Sequence, residues 1–105
     1  MTKQELTQFE IETLELLKEV IDPEIEINIV DLGLIYELYY DGDQKINIVM
    51  TFSTPACPLG DSIKSNIIET IKQKYPHFVT NIDVVFDPLW STGMVSEEGK
   101  RILGL

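Results

Sequence analysis

Apolar residues recur at helical spacing near the start of the chain, at alternate positions through its middle, and at helical spacing again in its second half. Leu14, Leu17 and Ile21 form a stripe, with Phe9, Ile11 and Val20 on or beside it, while Glu12, Glu15, Lys18 and Glu19 fall on the other side. The pattern predicts a helix. Thr7 and Glu10 have capping-box spacing at its start, and Asp22-Pro23 ends it, because a residue before proline avoids helical angles. Residues 22–33 lack periodicity and read as a loop with short extended pieces. LIYELYY, residues 34–40, and KINIVMTF, residues 45–52, read as two strands joined by the turn signal DGDQ. In the second strand Ile46, Ile48, Met50 and Phe52 alternate with Asn47, Val49 and Thr51, so one face is buried. Ile63, Ile67, Ile68 and Ile71 mark a second helix, which Pro76 stops. NIDVVFD gives a third strand, with Ile82, Val84 and Phe86 on one face. Ser96 is placed to cap a short last helix that Gly104 ends.

The order α-β-β-α-β-α predicts an α/β fold of the two-layer α+β kind, a small mixed three-stranded sheet with helices packed on one face. With 105 residues and no repeat or linker, the chain reads as a single domain, residues 1–105. A turn with Gly42-Asp43 at its tip places Leu34 across from Thr51 and brings Asp31 near Thr54. The second helix must run back along the sheet, so the third strand lies parallel to the second. Three irregular segments, 22–33, 53–60 and 87–95, are then expected to converge at one end. The tight turn and Tyr75-Pro76-His77 occupy the other.

Composition narrows the function. Apolar residues make up 44% and charged residues 25%, as in a soluble globular domain. The net charge of −10 disfavours nucleic acid, since phosphate binding needs clusters of Lys and Arg. It suits basic partners or cations, and equally serves solubility. No apolar run approaches a membrane span, and the first residues lack the pattern of a signal peptide. A single cysteine excludes an intramolecular disulfide and points to the cytoplasm.

That cysteine, Cys57, lies in TFSTPACPLG, residues 51–60, between Pro55 and Pro58, where a strand hands over to a helix. With Pro58 or Leu59 opening the helix, Cys57 falls at or just before its N-cap. There free N–H groups and the helix dipole favour a thiolate, the form that attacks or binds metal. The other reading is a small buried hydrophobe, and the stretch by itself leaves both open. His77 belongs to the far end, so a Cys-His nucleophile pair is disfavoured, and no base for an enzyme is evident. One thiolate cannot fill a four-ligand site; a second chain, a partner or a small thiol would have to complete it. Asp22, Asp31 and Asp87 are expected at the same end, as turn formers or as hard ligands and hydrogen-bond acceptors. Glu24 reads as solvated. Trp90 reads as packing or as an anchor for a partner. Thr51, Ser53 and Thr54 could donate to a thiolate or satisfy strand-end backbone.

Taken together, IDPEIEINIVDLGLIYEL, MTFSTPACPLG and FDPLWSTGMVSEEGKRILGL resemble the small domain shared by SufT-type iron–sulfur assembly factors, the PaaD-type subunits and the eukaryotic cytosolic iron–sulfur assembly adaptor. The resemblance runs from about residue 12 to the C-terminus. It implies a non-enzymatic role in maturing or delivering iron–sulfur clusters. It implies that Cys57 is a reactive thiol and that Asp22, Pro23, Glu24, Asp31 and Gly33 form an acidic loop motif. Thr51, Pro55 and Pro58 would surround the thiol, and Asp87, Pro88 and Trp90 would form the last loop. Gly99 is a departure, since relatives often carry alanine there. The PaaD branch extends into a cysteine-rich tail, and this chain, which stops at Leu105, looks closer to the stand-alone SufT type. The cargo implied is transient iron or an iron–sulfur cluster, with Cys57 as its ligand, shared with a partner or a second chain and not held tightly by the monomer. The partners implied are assembly scaffold or carrier proteins and client apoproteins, with a homodimer as one way to complete the site, and neither nucleic acid nor membrane. The rival reading is a non-catalytic adaptor that bridges scaffold and clients with a structural cysteine.

Overall fold

The fold was obtained as a computed structural model. It describes the backbone of residues 3–54 and 59–105, and side chains from Thr7 onward within those limits. Helix α1 spans Lys3–Leu16 and tightens into a 3-10 turn over Leu17–Glu19. Strand β1 covers Ile35–Tyr40, β2 Lys45–Met50, helix α2 Gly60–Lys74, β3 Val79–Val84 and helix α3 Glu97–Leu103. The sheet order is β1-β2-β3, with β1 antiparallel and β3 parallel to the central β2. The α+β order and the mixed three-stranded sheet predicted from the pattern are both present.

The alternation in β2 sets the layers. Ile46, Ile48 and Met50 are fully buried and share one core with Leu17 of the first helical segment, with Val20 just after it and with Ile63, Ile67 and Ile71 of α2. Burying such side chains is worth about 1.5–3 kcal/mol each and is the main force holding the two layers together. Ile11, Ile21 and Ile68, expected on or beside the apolar stripes, are exposed. Ile68 follows the buried Ile67 at the margin of its contact face. Ile11 falls between the half-buried Glu10 and the exposed Glu12. Ile21 lies beyond the helical segment, which ends at Glu19 and not at Asp22-Pro23 as expected, in an isolated bridge with Asn28.

Two further local expectations are corrected. Thr7 lies inside α1, which begins at Lys3, so Thr7 and Glu10 are not a capping box. The Glu10 carboxylate instead accepts the Tyr40 N–H at 2.9 Å, tying the helix to the outer edge of β1. The hairpin is also one position out of the expected register near its turn. Tyr40 pairs with Ile46, and the Asp41 N–H donates to the Lys45 carbonyl. A bulge between Ile35 and Glu37 then restores the expected register, with Ile35 opposite Met50 and the Thr51 N–H donating to the Leu34 carbonyl at 2.9 Å. The reason is the pleat. Without the extra residue, Glu37 would face the core opposite Ile48. With Tyr36 bulged, Leu38 takes that place and Glu37 turns to the outer face.

The far end is built as expected. The Val79 N–H donates to the Gln44 carbonyl beside the hairpin turn, and Phe9, Tyr40, Tyr75 and Phe78 form an aromatic cluster there. His77 is exposed at that end.

Candidate functional site

At the opposite rim the sheet delivers three chain segments. Antiparallel pairing puts the start of β1 on one side of the end of β2, and parallel pairing puts the end of β3 on the other. Residues 22–34 approach this rim, Phe52 and the following residues leave it, and residues 85–96 cross it.

The entry loop is held by two side chains close to it in sequence. Asp22 is buried, and its Oδ1 accepts the N–H groups of Glu24 and Ile25 at 2.8 and 3.3 Å. Its own N–H and carbonyl engage Ile27 and Glu26, closing a tight turn in which Glu26 takes a positive φ of 67°. Asp22 is thus a turn former, and Glu24 is exposed, as read from the sequence. Asn28 organises the next turn: its Oδ1 accepts the Asp31 N–H at 2.8 Å and its Nδ2 donates to Asp31 Oδ2 at 2.6 Å.

Asp31 then joins this loop to the far end of the chain. Its Oδ1 accepts the Ser96 hydroxyl at 2.8 Å, and its carbonyl accepts the Ser96 N–H at 2.7 Å. Ser96 Oγ in turn accepts the Gly99 N–H and caps α3, which Gly104 closes in the left-handed conformation. The hydrogen bonds from Asn28 and Ser96, in that order, hold the Asp31 carboxyl below the usual carboxylate range against the opposing effect of burial. A β-carbon on Gly99 would lie 2.6 Å from Val95 Cγ1 and 3.0 Å from the Asp31 carbonyl oxygen. The absence of a side chain at residue 99 therefore lets α3 seat directly on the Asp31 backbone.

Trp90 fastens the exit loop. Its Nε1 donates to the Leu32 carbonyl at 2.7 Å, and its ring packs against the core. Gly33 has a φ of +78°, and a β-carbon there would lie 2.1 Å from the Met94 carbonyl oxygen. Tyr36, the bulged residue, donates its hydroxyl to the Pro88 carbonyl at 2.8 Å and touches Met94 Sδ at 3.5 Å. Asp87 is exposed and precedes Pro88 through a cis peptide. Asn28, Tyr36 and Met94 were not singled out from the sequence. Only Asn28 carries a local signal, its spacing of three from Asp31.

The residues that flank the thiol segment in the chain lie at this rim. Thr51 is fully buried, its hydroxyl directed to the Phe52 carbonyl at 3.4 Å; Ser53 is half-buried and Thr54 exposed. Leu59 is the N-cap of α2, without a side-chain cap bond, so Cys57 is two positions ahead of the cap in the chain. Gly60 meets the Phe52 ring closely enough that a β-carbon would lie 2.7 Å from it. Pro55, Cys57 and Pro58 lie outside the described residues. Among the described residues no group of three or more His, Cys, Asp or Glu is arranged to hold a metal ion, and no helix is long and apolar enough to cross a membrane.

A family model described as iron–sulfur cluster assembly protein matches residues 11–84. The chain is 35% identical over 100 residues to an Fe-S protein maturation auxiliary factor of Porphyromonas gingivalis, covering 95% of each chain. It is 34% identical to the Fe-S protein maturation auxiliary factor SufT of Staphylococcus aureus, covering 82% of this chain and 98% of that one. A crystal structure of a domain of unknown function from Bacillus anthracis superposes with a TM-score of 0.93 at 30% identity, covering 99% of both chains.

Proposed function

The chain belongs to the iron–sulfur cluster assembly protein family, and on that premise we propose that it is an accessory factor in iron–sulfur protein maturation, working in the cytoplasm through contact with other proteins. The observation that carries this reading is the rim. One side of the molecule gathers the entry loop on Asp31, the exit loop on Trp90, and the Phe52–Gly60 closure that bounds the thiol segment. Cys57 is the functional group. Its thiolate holds iron, a cluster edge or a persulfide in passing, as cargo shared with a partner. Asp31 positions the loops, since its carboxylate is already occupied by Asn28 and Ser96. Thr51, Ser53 and Thr54 lead the chain into the thiol segment. Asp22 and Glu24 belong to the entry turn, and Asp87 to the exit loop.

The test is a Cys57→Ser replacement in cells, read by the activity of a cluster-dependent client such as aconitase against the level of its apoprotein. Client activity should fall while apoprotein persists. Unchanged client activity would discard the thiol chemistry. The adaptor reading is favoured by Trp90 and the acidic surface. It requires co-purification of partners to fail in Trp90→Ala and to survive in Cys57→Ser, with an alkylation pKa for Cys57 near that of free cysteine, ~8.5.

A further inference from the structure

The outer face of the sheet, away from α1 and α2, carries a groove that the thiol chemistry leaves unused. Its volume is about 600 Å³, and it is lined by Ile35, Tyr36, Glu37, Val49, Asp87 and Met94, among others. The bulge makes it. By turning Glu37 outward, it creates a cross-strand row of Glu37, Val49 and Asp83 over the three strands. Glu37 and Asp83 are exposed and Val49 is half-buried between them. Toward the rim the floor continues through Val85 and Pro88 to Met94, and Gly33 closes it where its backbone meets Met94.

The floor is apolar and adaptable, since a thioether re-packs against varied shapes. The two charged residues of the lining, Glu37 and Asp87, are acidic, Asp83 stands beside them across from Val49, and the lining contains no Lys or Arg. A second copy of this chain, itself at −10, meets that row with like charge. Nucleic acid is repelled for the same reason. A polypeptide with alternating apolar and cationic side chains matches it: one side chain on Val49 and Met94, and its neighbours reaching the carboxylates.

We propose that this groove docks a short Lys- or Arg-bearing, apolar-anchored segment of a partner protein, a proposal that rests on the reading above for the premise that the chain works through protein contact. Docking here would present the partner beside the exit loop, at the rim where Phe52 and Gly60, which flank the thiol segment in the chain, meet.

The test uses the full chain, labelled for backbone NMR, and a synthetic peptide of alternating Lys and Leu. Its control is the same peptide with Glu for Lys. Saturable shifts should centre on Glu37, Val49, Val85 and Met94, weaken with salt, and be absent with the Glu peptide. The pair Glu37→Lys and Asp83→Lys should weaken binding ~tenfold or more. A matched reversal on the exposed side of α1, Glu12→Lys and Glu15→Lys, should leave it within about twofold, as expected for charges that contact no ligand. Equal loss in both pairs would mean attraction to net charge alone and would overturn the proposal. So would shifts centred elsewhere, no saturable binding, or concentration-dependent groove shifts without peptide, which would make the occupant a second copy. These outcomes are independent of Cys57, whose replacement by serine tests the maturation role in cells.

Discussion

Asp31 and Ser96 grip each other through two hydrogen bonds across 65 residues of chain, one from side chain to side chain and one from backbone to backbone. The same serine hydroxyl caps α3, so the docking of the last helix and the shape of the entry loop are one event. Replacing Asp31 or Ser96 with alanine should each destabilise the fold by about 1–3 kcal/mol, the range for hydrogen bonds to a charged group. The double variant should cost clearly less than the sum, because both single changes break one interaction. Urea unfolding of the four proteins measures the coupling, and simple additivity would show that the pair contributes nothing jointly.

The pH dependence of this clasp has a definite sign. The Asp31 carboxyl in the folded chain is held below its ordinary value of 3.8 by Asn28 first and Ser96 second. A depressed folded pKa contributes stability that is present above the unfolded value and is lost as pH falls through the folded one. The wild type should therefore lose stability below about pH 4 more steeply than Asp31→Asn. Because Asp31 is partly open to solvent, the difference should be modest. Thermal melts of both proteins in acid would read it, and parallel pH profiles would remove Asp31 from the account.

Two glycines separate backbone strain from lack of space. Gly33 and Gly104 have nearly the same φ, 78° and 76°. A β-carbon at Gly33 meets the Met94 carbonyl at 2.1 Å, whereas nothing lies within 4 Å at Gly104. Gly104→Ala should cost about 1–2 kcal/mol, the penalty for a left-handed residue with a side chain. Gly33→Ala adds a collision with backbone that cannot rotate away, and should cost about 3 kcal/mol or more. Equal losses in denaturant unfolding would mean that the two loops separate easily at Gly33.

Much of this architecture was legible in the chain, and the omissions have physical causes. The alternation of Ile46, Ile48 and Met50 gave the buried face, and the lengths of α2 and the strands left only one rim for the three loops. The turn role of Asp22 was visible because its partners are two and three residues away. The Asp31–Ser96 clasp was not, since a contact that distant in sequence leaves no periodic trace. Thr7 and Glu10 misled because a spacing of three is common to capping boxes and to any helix surface. The bulge at Tyr36 could have been inferred: an unbroken register buries Glu37 against Ile48, and the pleat permits only a slip to avoid it.

Trp90 offers the sharpest separation of structure from function at the rim, since the chain has only one tryptophan. Its indole N–H donates to the Leu32 carbonyl, while its ring rests on the core. Phenylalanine keeps most of the ring contact and leaves that carbonyl without its donor, so Trp90→Phe should cost about 1–2 kcal/mol. Alanine also removes the ring and should cost more. If Trp90 serves chiefly to pin the exit loop to Leu32, Trp90→Phe should protect the Leu32–Leu34 and Met94–Ser96 amides from hydrogen exchange less well while retaining client activity at permissive temperature. If its ring is the surface that partners grip, the phenylalanine variant should hold them and the alanine variant release them, even where both remain folded. Hydrogen exchange and partner co-purification, run on the same two variants, assign the residue to one role or the other.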